Sequence, residues 1–217
     1  MPEEFPRCRL VGWPEIDRWA DEVARQVVRA GHVPGALVAL TRGGWVPARL
    51  VADHLGIHRL VSLRAQHWGV TARPSGKAEL TEGLSGPVRG QDVLVIDDIT
   101  DTGESLELAT EHVRAAGAAR LESAALLHIA HSKFRPTYFA EEIERDAWVW
   151  VVFPWNYWED LRALGARAFA ETREIGSARV LLRERCGLDV PLKDLARVLS
   201  GAPNPPGPLA EQLREDP

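Results

Sequence analysis

Cysteine is scarce in this 217-residue chain, with only Cys8 and Cys186, near opposite ends. Two residues so far apart in sequence supply neither a disulfide framework nor a cysteine zinc site, so a reducing cytoplasm is the expected setting. Long apolar runs are also missing. No stretch approaches the roughly 18 apolar residues of a membrane span, and the opening MPEEFPRCRL lacks the apolar core of a signal peptide. Positive charge is not in excess either: 26 basic residues against 31 acidic leave −5. That balance argues against a general nucleic-acid binder, whose affinity comes from neutralising phosphates. Zinc-type His/Cys spacings, a nucleophile elbow and a Walker loop are all absent from the sequence. What remains is an apolar content of 45%, which suits one medium globular domain with a small appendage. Tryptophan is unusually frequent, and four of the eight (Trp148, Trp150, Trp155, Trp158) crowd into one stretch.

The pattern along the chain alternates between strand and helix. Ile16, Trp19, Ala20, Val23 and Val27 fall on one helical face, with Pro14 near its start and Gly31 as a stop. A strand over 36–40 breaks into Thr41-Arg42-Gly43-Gly44, a helix over 45–55 follows, and 58–63 reads as a strand. Residues 66–90, rich in Gly, Pro, Ser and Thr, show no period and read as a long loop of the kind that forms lids. Further strands are expected at 92–96, 121–128 and 148–153, and helices at 104–116 and 156–170. Such alternation predicts an α/β fold with a mainly parallel sheet covered by helices on both faces. Ligands of such sheets bind beyond the carboxyl ends of the strands. The domain is expected to span 1–170, followed by a helical extension at 171–200 and a polar, proline-rich tail at 201–217.

Chemistry concentrates in residues 93–105, VLVIDDITDTGES. A buried strand delivers Asp97 and Asp98 to its carboxyl end, and burying two charges is costly unless they meet a cation or several donors. Two adjacent carboxylates match the two hydroxyls of a ribose, and a divalent metal can share them. The turn Thr100-Asp101-Thr102-Gly103-Glu104-Ser105 then opens a helix, whose free N–H groups and dipole form an anion site. Gly103 permits close backbone approach, while the Thr102 and Ser105 hydroxyls add donors.

Strand, acidic pair, Thr-Gly turn and helix, in that order, resemble the phosphoribosyl pyrophosphate (PRPP) motif of type I phosphoribosyltransferases, closest to the purine (xanthine/guanine/hypoxanthine-type) enzymes of microbes. The resemblance spans about residues 13–165. It implies that Asp97 and Asp98 hold the ribose hydroxyls, with Asp98 also near Mg²⁺, and that Thr100, Asp101, Thr102, Gly103, Glu104 and Ser105 surround the 5′-phosphate. Asp101 matches a proposed general acid/base beside the purine. Thr41, Arg42, Gly43 and Gly44 resemble the family's pyrophosphate loop, which in relatives can contain a cis peptide, here expected at Thr41-Arg42. Arg64 is a further candidate for pyrophosphate, although an ordinary surface arginine would look the same.

The loop 66–90 sits where the family carries its catalytic lid, with Arg73 and Lys77 as the charges it would bring to the leaving group. The base-binding segment corresponds to about 128–158. There Trp150 takes the stacking position and Val151 the backbone contact, forming a small base-binding hood, although the same aromatic run also suits a sheet core. Relatives using 6-oxopurines carry a lysine where this chain has Ile129, and Asn156 replaces a usual acidic residue. His128, His131 and Lys133 lie nearby in sequence without matching the lysine position.

The resemblance thus implies a Mg²⁺-dependent cytoplasmic transferase of purine salvage, moving ribose 5-phosphate from PRPP to a purine with release of pyrophosphate. Its implied partners are PRPP, a nucleobase and a second copy of the chain, with no nucleic acid and no membrane. A PRPP-binding regulator without significant catalysis, or an enzyme for another base such as adenine, is the alternative.

Overall fold

A computed structural model describes residues 4–67 and 78–201. In chain order the elements are β1 (Cys8–Leu10), α1 (Trp13–Arg29), β2 (Ala36–Thr41), α2 (Trp45–Leu55), β3 (Leu60–His67), β4 (Ala78–Glu82), β5 (Asp92–Thr100) and α3 (Glu104–Ala115). There follow β6 (Arg120–Ile129), β7 (Tyr138–Ile143), β8 (Trp150–Val152), α4 (Tyr157–Thr172), α5 (Ile175–Leu181) and α6 (Leu192–Ser200). The chain packs as two compact units, Trp13–Trp148 and the residues on either side of it.

The central unit holds a six-stranded sheet in the order β4-β3-β2-β5-β6-β7. Every pairing is parallel except β3 with β4, as the alternating pattern predicts. β2 and β5 are almost continuously apolar because both of their faces are covered. Val93 and Val95 of β5 join Val38, Leu40, Val61 and Leu63 under Leu106, Ala109 and Val113 of α3. On the other face, α1 buries Ile16, Trp19, Ala20, Val23, Ala24 and Val27, spaced for one helical stripe. α1 lies against β6 and β7, and α2 against β2, β3 and β5.

The chain runs from β2 outward to β3 on one side and from β5 outward to β6 on the other. The carboxyl ends of β2 and β5 therefore flank the point where strand order reverses, the place where open α/β sheets bind ligands.

Two elements were hidden from pattern reading. Residues 78–82 form β4, antiparallel to β3, so part of the expected loop 66–90 is an edge strand. β7 contains Glu141 and Glu142, and charge at a sheet edge obscures the apolar signal of a strand while discouraging further pairing. The aromatic run at 148–153 yields only the three residues of β8, which a 3₁₀ turn at Arg145–Ala147 precedes.

The second unit pairs β1 with β8 in parallel and packs them with α4, α5 and α6. Its core joins Phe5 and Val152 to Leu161, Leu164 and Phe169 of α4 and to Leu181, Leu182, Leu195 and Val198 beyond. The helices after residue 171 share this core with the segment before them.

Candidate active site

The end of β5 presents the acidic pair. The Asp97 carboxylate accepts the Asp98 N–H at 2.9 Å, and the Asp98 carboxylate accepts the Ile99 N–H at 2.9 Å. Burial, and then the Asp98 charge beside it, push the Asp97 carboxyl well above its ordinary range, while N–H groups of Asp98 and Gly44 pull the other way. Two carboxylates so placed favour a proton, a cation or hydroxyl donors between them.

Gly44 belongs to the loop after β2, so the two motifs, over 50 residues apart in sequence, are in direct contact. A Cβ on Gly43 would sit 2.7 Å from Asp98 Cγ, and one on Gly44 would lie 2.8 Å from the Leu40 carbonyl oxygen and 2.9 Å from Asp97 Cα. Neither approach leaves room for a side chain. This is a tertiary reason for both glycines, beyond the freedom they give the loop. The Thr41–Arg42 peptide is cis, as the resemblance implied. The Thr41 hydroxyl donates to the Leu63 carbonyl at 3.2 Å, and Arg42 is exposed. Arg64 instead pairs with Glu82 of β4 at 2.7 Å.

The phosphate turn follows directly from β5. Gly103 has φ +85° and precedes α3, and its missing side chain is filled by loop 130–134: a Cβ there would lie 2.5 Å from Ser132 Oγ and 2.7 Å from Phe134 Cβ. The same loop donates the Lys133 N–H to the Thr102 carbonyl at 3.2 Å. Thr102 Oγ1 accepts the Glu104 N–H at 3.4 Å. Thr100, by contrast, is buried, and its hydroxyl donates to the Leu127 carbonyl at 3.3 Å within the sheet. Glu104 and Ser105 open α3 and are partly exposed.

Asp101 has neighbours that pattern reading did not connect to it. Its Oδ1 receives the Trp148 indole N–H at 3.2 Å and lies 3.1 Å from His131 Nε2. His131, Ala130 and Arg145 line a cavity of about 530 Å³. Ile129, at the expected lysine position, is fully buried. His128 is buried too, its Nδ1 lying 3.4 Å from Thr100 Oγ1 and its ring 5.1 Å from that of Phe139. Burial, then the charge of Arg135, lowers the His128 pKa and keeps it a neutral structural group. Of the three residues near the lysine position, His131 is the one that meets Asp101.

In the other unit, Trp150 is half-buried against the helical core and donates its indole N–H to Asp160. Val151 is buried. Trp155 stacks on Phe153 with ring centroids 4.8 Å apart, and Asn156 gives α4 no side-chain cap. Arg73 and Lys77 lie outside the described residues. Among the described residues no group of three or more His, Cys, Asp or Glu side chains is set to hold a metal, and no helix is long and apolar enough to cross a membrane.

Comparison with known proteins decides the family. The phosphoribosyl transferase domain profile matches residues 10–160, more than half of the chain. The chain belongs to the phosphoribosyltransferase family. It is 28% identical over 160 residues to the xanthine-guanine phosphoribosyltransferase of Desulfotalea psychrophila, covering 72% of this chain and 91% of that one. Identity to the enzyme of the same name from Nitratidesulfovibrio vulgaris is 29% over 158 residues, covering 71% and 88%. Among solved structures, the purine phosphoribosyltransferase of Pyrococcus horikoshii superposes with a TM-score of 0.58 at 26% identity, covering 68% of this chain and 93% of that one. The Helicobacter pylori xanthine-guanine-hypoxanthine phosphoribosyltransferase shares the fold, with a TM-score of 0.58 at 22% identity and coverage of 74% and 99%. In this phosphoribosyltransferase, residues past the matched span supply most of the helical unit's core.

Proposed function

We propose that this phosphoribosyltransferase transfers ribose 5-phosphate from PRPP to an oxopurine and releases pyrophosphate. One observation carries the reading: the acidic pair of β5, the glycine turn before α3 and the Arg42-Gly43-Gly44 loop converge at the reversal point of a single sheet. Asp97 and Asp98 would accept the ribose hydroxyls, which relieves the cost of holding two carboxylates together. The N–H groups of 102–105 would receive the 5′-phosphate, and Arg42 with the loop N–H groups the pyrophosphate. Arg64 joins them only if it leaves Glu82.

The site suits Mg²⁺ carried by the substrate. Its adjacent carboxylates supply one or two protein ligands, with Asp98 the closer candidate, and Mg²⁺ is commonly held that way together with substrate phosphates and water. Bound there, it would neutralise charge on the departing pyrophosphate. The protein's own work is to orient PRPP, to tolerate positive charge growing at ribose C1 near Asp97 and Asp98, and to take a proton from the base. Asp101, held by Trp148 and lying against His131, is the acceptor in this scheme.

The base preference follows from the cavity wall. A guanidinium carries donors and no acceptor. Arg145 beside His131 therefore suits the exocyclic carbonyl oxygen of an oxopurine and opposes the exocyclic amine of adenine. Trp150 as a stacking face, Val151 as a backbone contact, Arg73 and Lys77 as lid charges, a homodimer and a cytoplasmic location complete the proposal. The test is pyrophosphate release from PRPP and Mg²⁺ with guanine, xanthine, hypoxanthine or adenine. Release with an oxopurine is expected. Silence with every base, with PRPP binding retained, would replace the enzyme by a PRPP-binding regulator.

A further inference from the structure

The two cysteines, 178 positions apart in sequence (186 − 8), meet in the second unit. Cys8 begins β1, opposite Trp150 in the parallel pairing with β8. Cys186 ends a π-type turn, Leu182–Cys186, that continues α5. Cys8 packs against the core cluster that contains Cys186, the two thiols are close enough to interact, and both are free. Backbones approach closely as well: a Cβ on Gly187, the residue after Cys186, would lie 3.5 Å from the Cys8 carbonyl oxygen. Cys186 is fully buried in the helical core, whereas Cys8 is half-buried at its margin, with the Pro6 carbonyl 3.5 Å from its sulfur.

We propose that Cys8 and Cys186 form a covalent modification site, a thiol pair that a hydroperoxide closes to an intramolecular disulfide. Interaction with the Cys8 thiol, then the charges of Arg167 and Arg185, lower the Cys186 thiol pKa against the effect of its burial. Cys8 is pushed well above the ordinary range by the same interaction, by burial and by the Cys186 and Asp160 charges.

In the first step the attacking sulfur takes the terminal oxygen of the hydroperoxide as the O–O bond breaks, giving a sulfenic acid and an alcohol, or water from hydrogen peroxide. The second sulfur then attacks the first, the S–S bond forms and the sulfenic oxygen leaves as water. Two thiols lose two electrons and two protons, and the peroxide is reduced. With the partner already in contact, the sulfenic acid is resolved before further oxidation. The resulting bond would tie β1 to the helical segment beyond α5, one strand from Trp150. It stands independently of the proposed transferase activity.

The test uses the reduced full-length protein treated with stoichiometric hydrogen peroxide under denaturant-free conditions. Expected results are an intact mass lower by two hydrogens, loss of both titratable thiols, a non-reduced peptide joining Cys8 to Cys186, and full reversal by dithiothreitol. Cys8→Ser should instead carry added oxygen on Cys186, or leave it unreacted, with no loss of two hydrogens. Wild-type monomer that keeps both thiols, gains sulfinic or sulfonic oxygen, or forms only disulfide-linked dimers would overturn the proposal. Because the wild-type measurement needs no substitution, failure of a variant to fold leaves the result decisive.

Discussion

Asp101 has its environment assembled from three separate places: the phosphate turn itself, His131 after β6 and Trp148 before β8. If it receives the base proton, Asp101→Asn should lower kcat by about 10²-fold or more while leaving PRPP affinity nearly unchanged. Equal loss of turnover and PRPP binding in calorimetry and steady-state kinetics would instead make it a phosphate-loop residue. His131→Ala should lower kcat less than Asp101→Asn does; an unchanged kcat would mean that its contact with Asp101 does not support the chemistry. Asp160 offers a separate residue-scale prediction. It is buried, its Oδ2 has no partner among the described residues, and it accepts the Trp150 indole N–H. Burial raises its pKa from 3.8 to about 6, with Glu159 adding to the rise and Trp150 opposing it. For an acid with a raised folded pKa, stability is fullest below the unfolded value and falls as pH rises through the folded one. Between pH 4 and 6 the protein should therefore lose up to about 3 kcal/mol from this group. Asp160→Asn should flatten that slope in urea melts and gain most stability above pH 7; an unchanged slope would refute the assignment.

At the scale of elements, much of the site was legible because its parts are local. An apolar strand, two carboxylates, a glycine turn and a helix start are consecutive, and the helix start is an anion site wherever such a turn occurs. β2 with its Arg-Gly-Gly end was legible for the same reason. β4 and β7 were not, since an edge strand with charged residues lacks the pattern of a buried one. The role of Thr100 also depended on depth: composition places it in the phosphate turn, while the sheet buries its hydroxyl against Leu127. Glycine positions gain a reason only from packing. Gly103→Ala combines a φ of +85° with contact against Ser132 and Phe134. It should cost about 1–3 kcal/mol in thermal unfolding and weaken PRPP binding more than tenfold. Gly43→Ala, blocked by Asp98, should impair PRPP binding still more. Wild-type affinity in calorimetry for either variant would show that the loop does not contact the ligand.

Across the whole molecule, every proposed PRPP contact within the described residues belongs to the unit 13–148, while the second unit has a core of its own. Leu195, fully buried in that core, tests the division. Leu195→Ala should cost about 2–5 kcal/mol in the stability of the helical unit and raise its hydrogen exchange, yet leave the PRPP Kd within about twofold, because the two units share no packing partners within one core. A large loss of PRPP affinity would mean that the units share the ligand's energetics. The boundary expected near residue 170 rested on a change in composition, whereas packing groups α4 with the helices after it, because Leu161, Leu164 and Phe169 need Leu181, Leu182 and Leu195 to cover them. What the sequence by itself determined was the local chemistry: an acidic pair before a glycine turn, a second glycine loop, and strands apolar enough to demand cover on both faces. Only the tertiary structure decided which of these meet. Placing β2 beside β5 puts Gly43 and Gly44 against Asp97 and Asp98. Folding 130–134 back over the turn fills the space beside Gly103 and brings His131 to Asp101. Packing β1 with the helices turns two remote cysteines into neighbours. Hydrophobic periodicity specifies which faces must be buried, but not which distant segment will bury them.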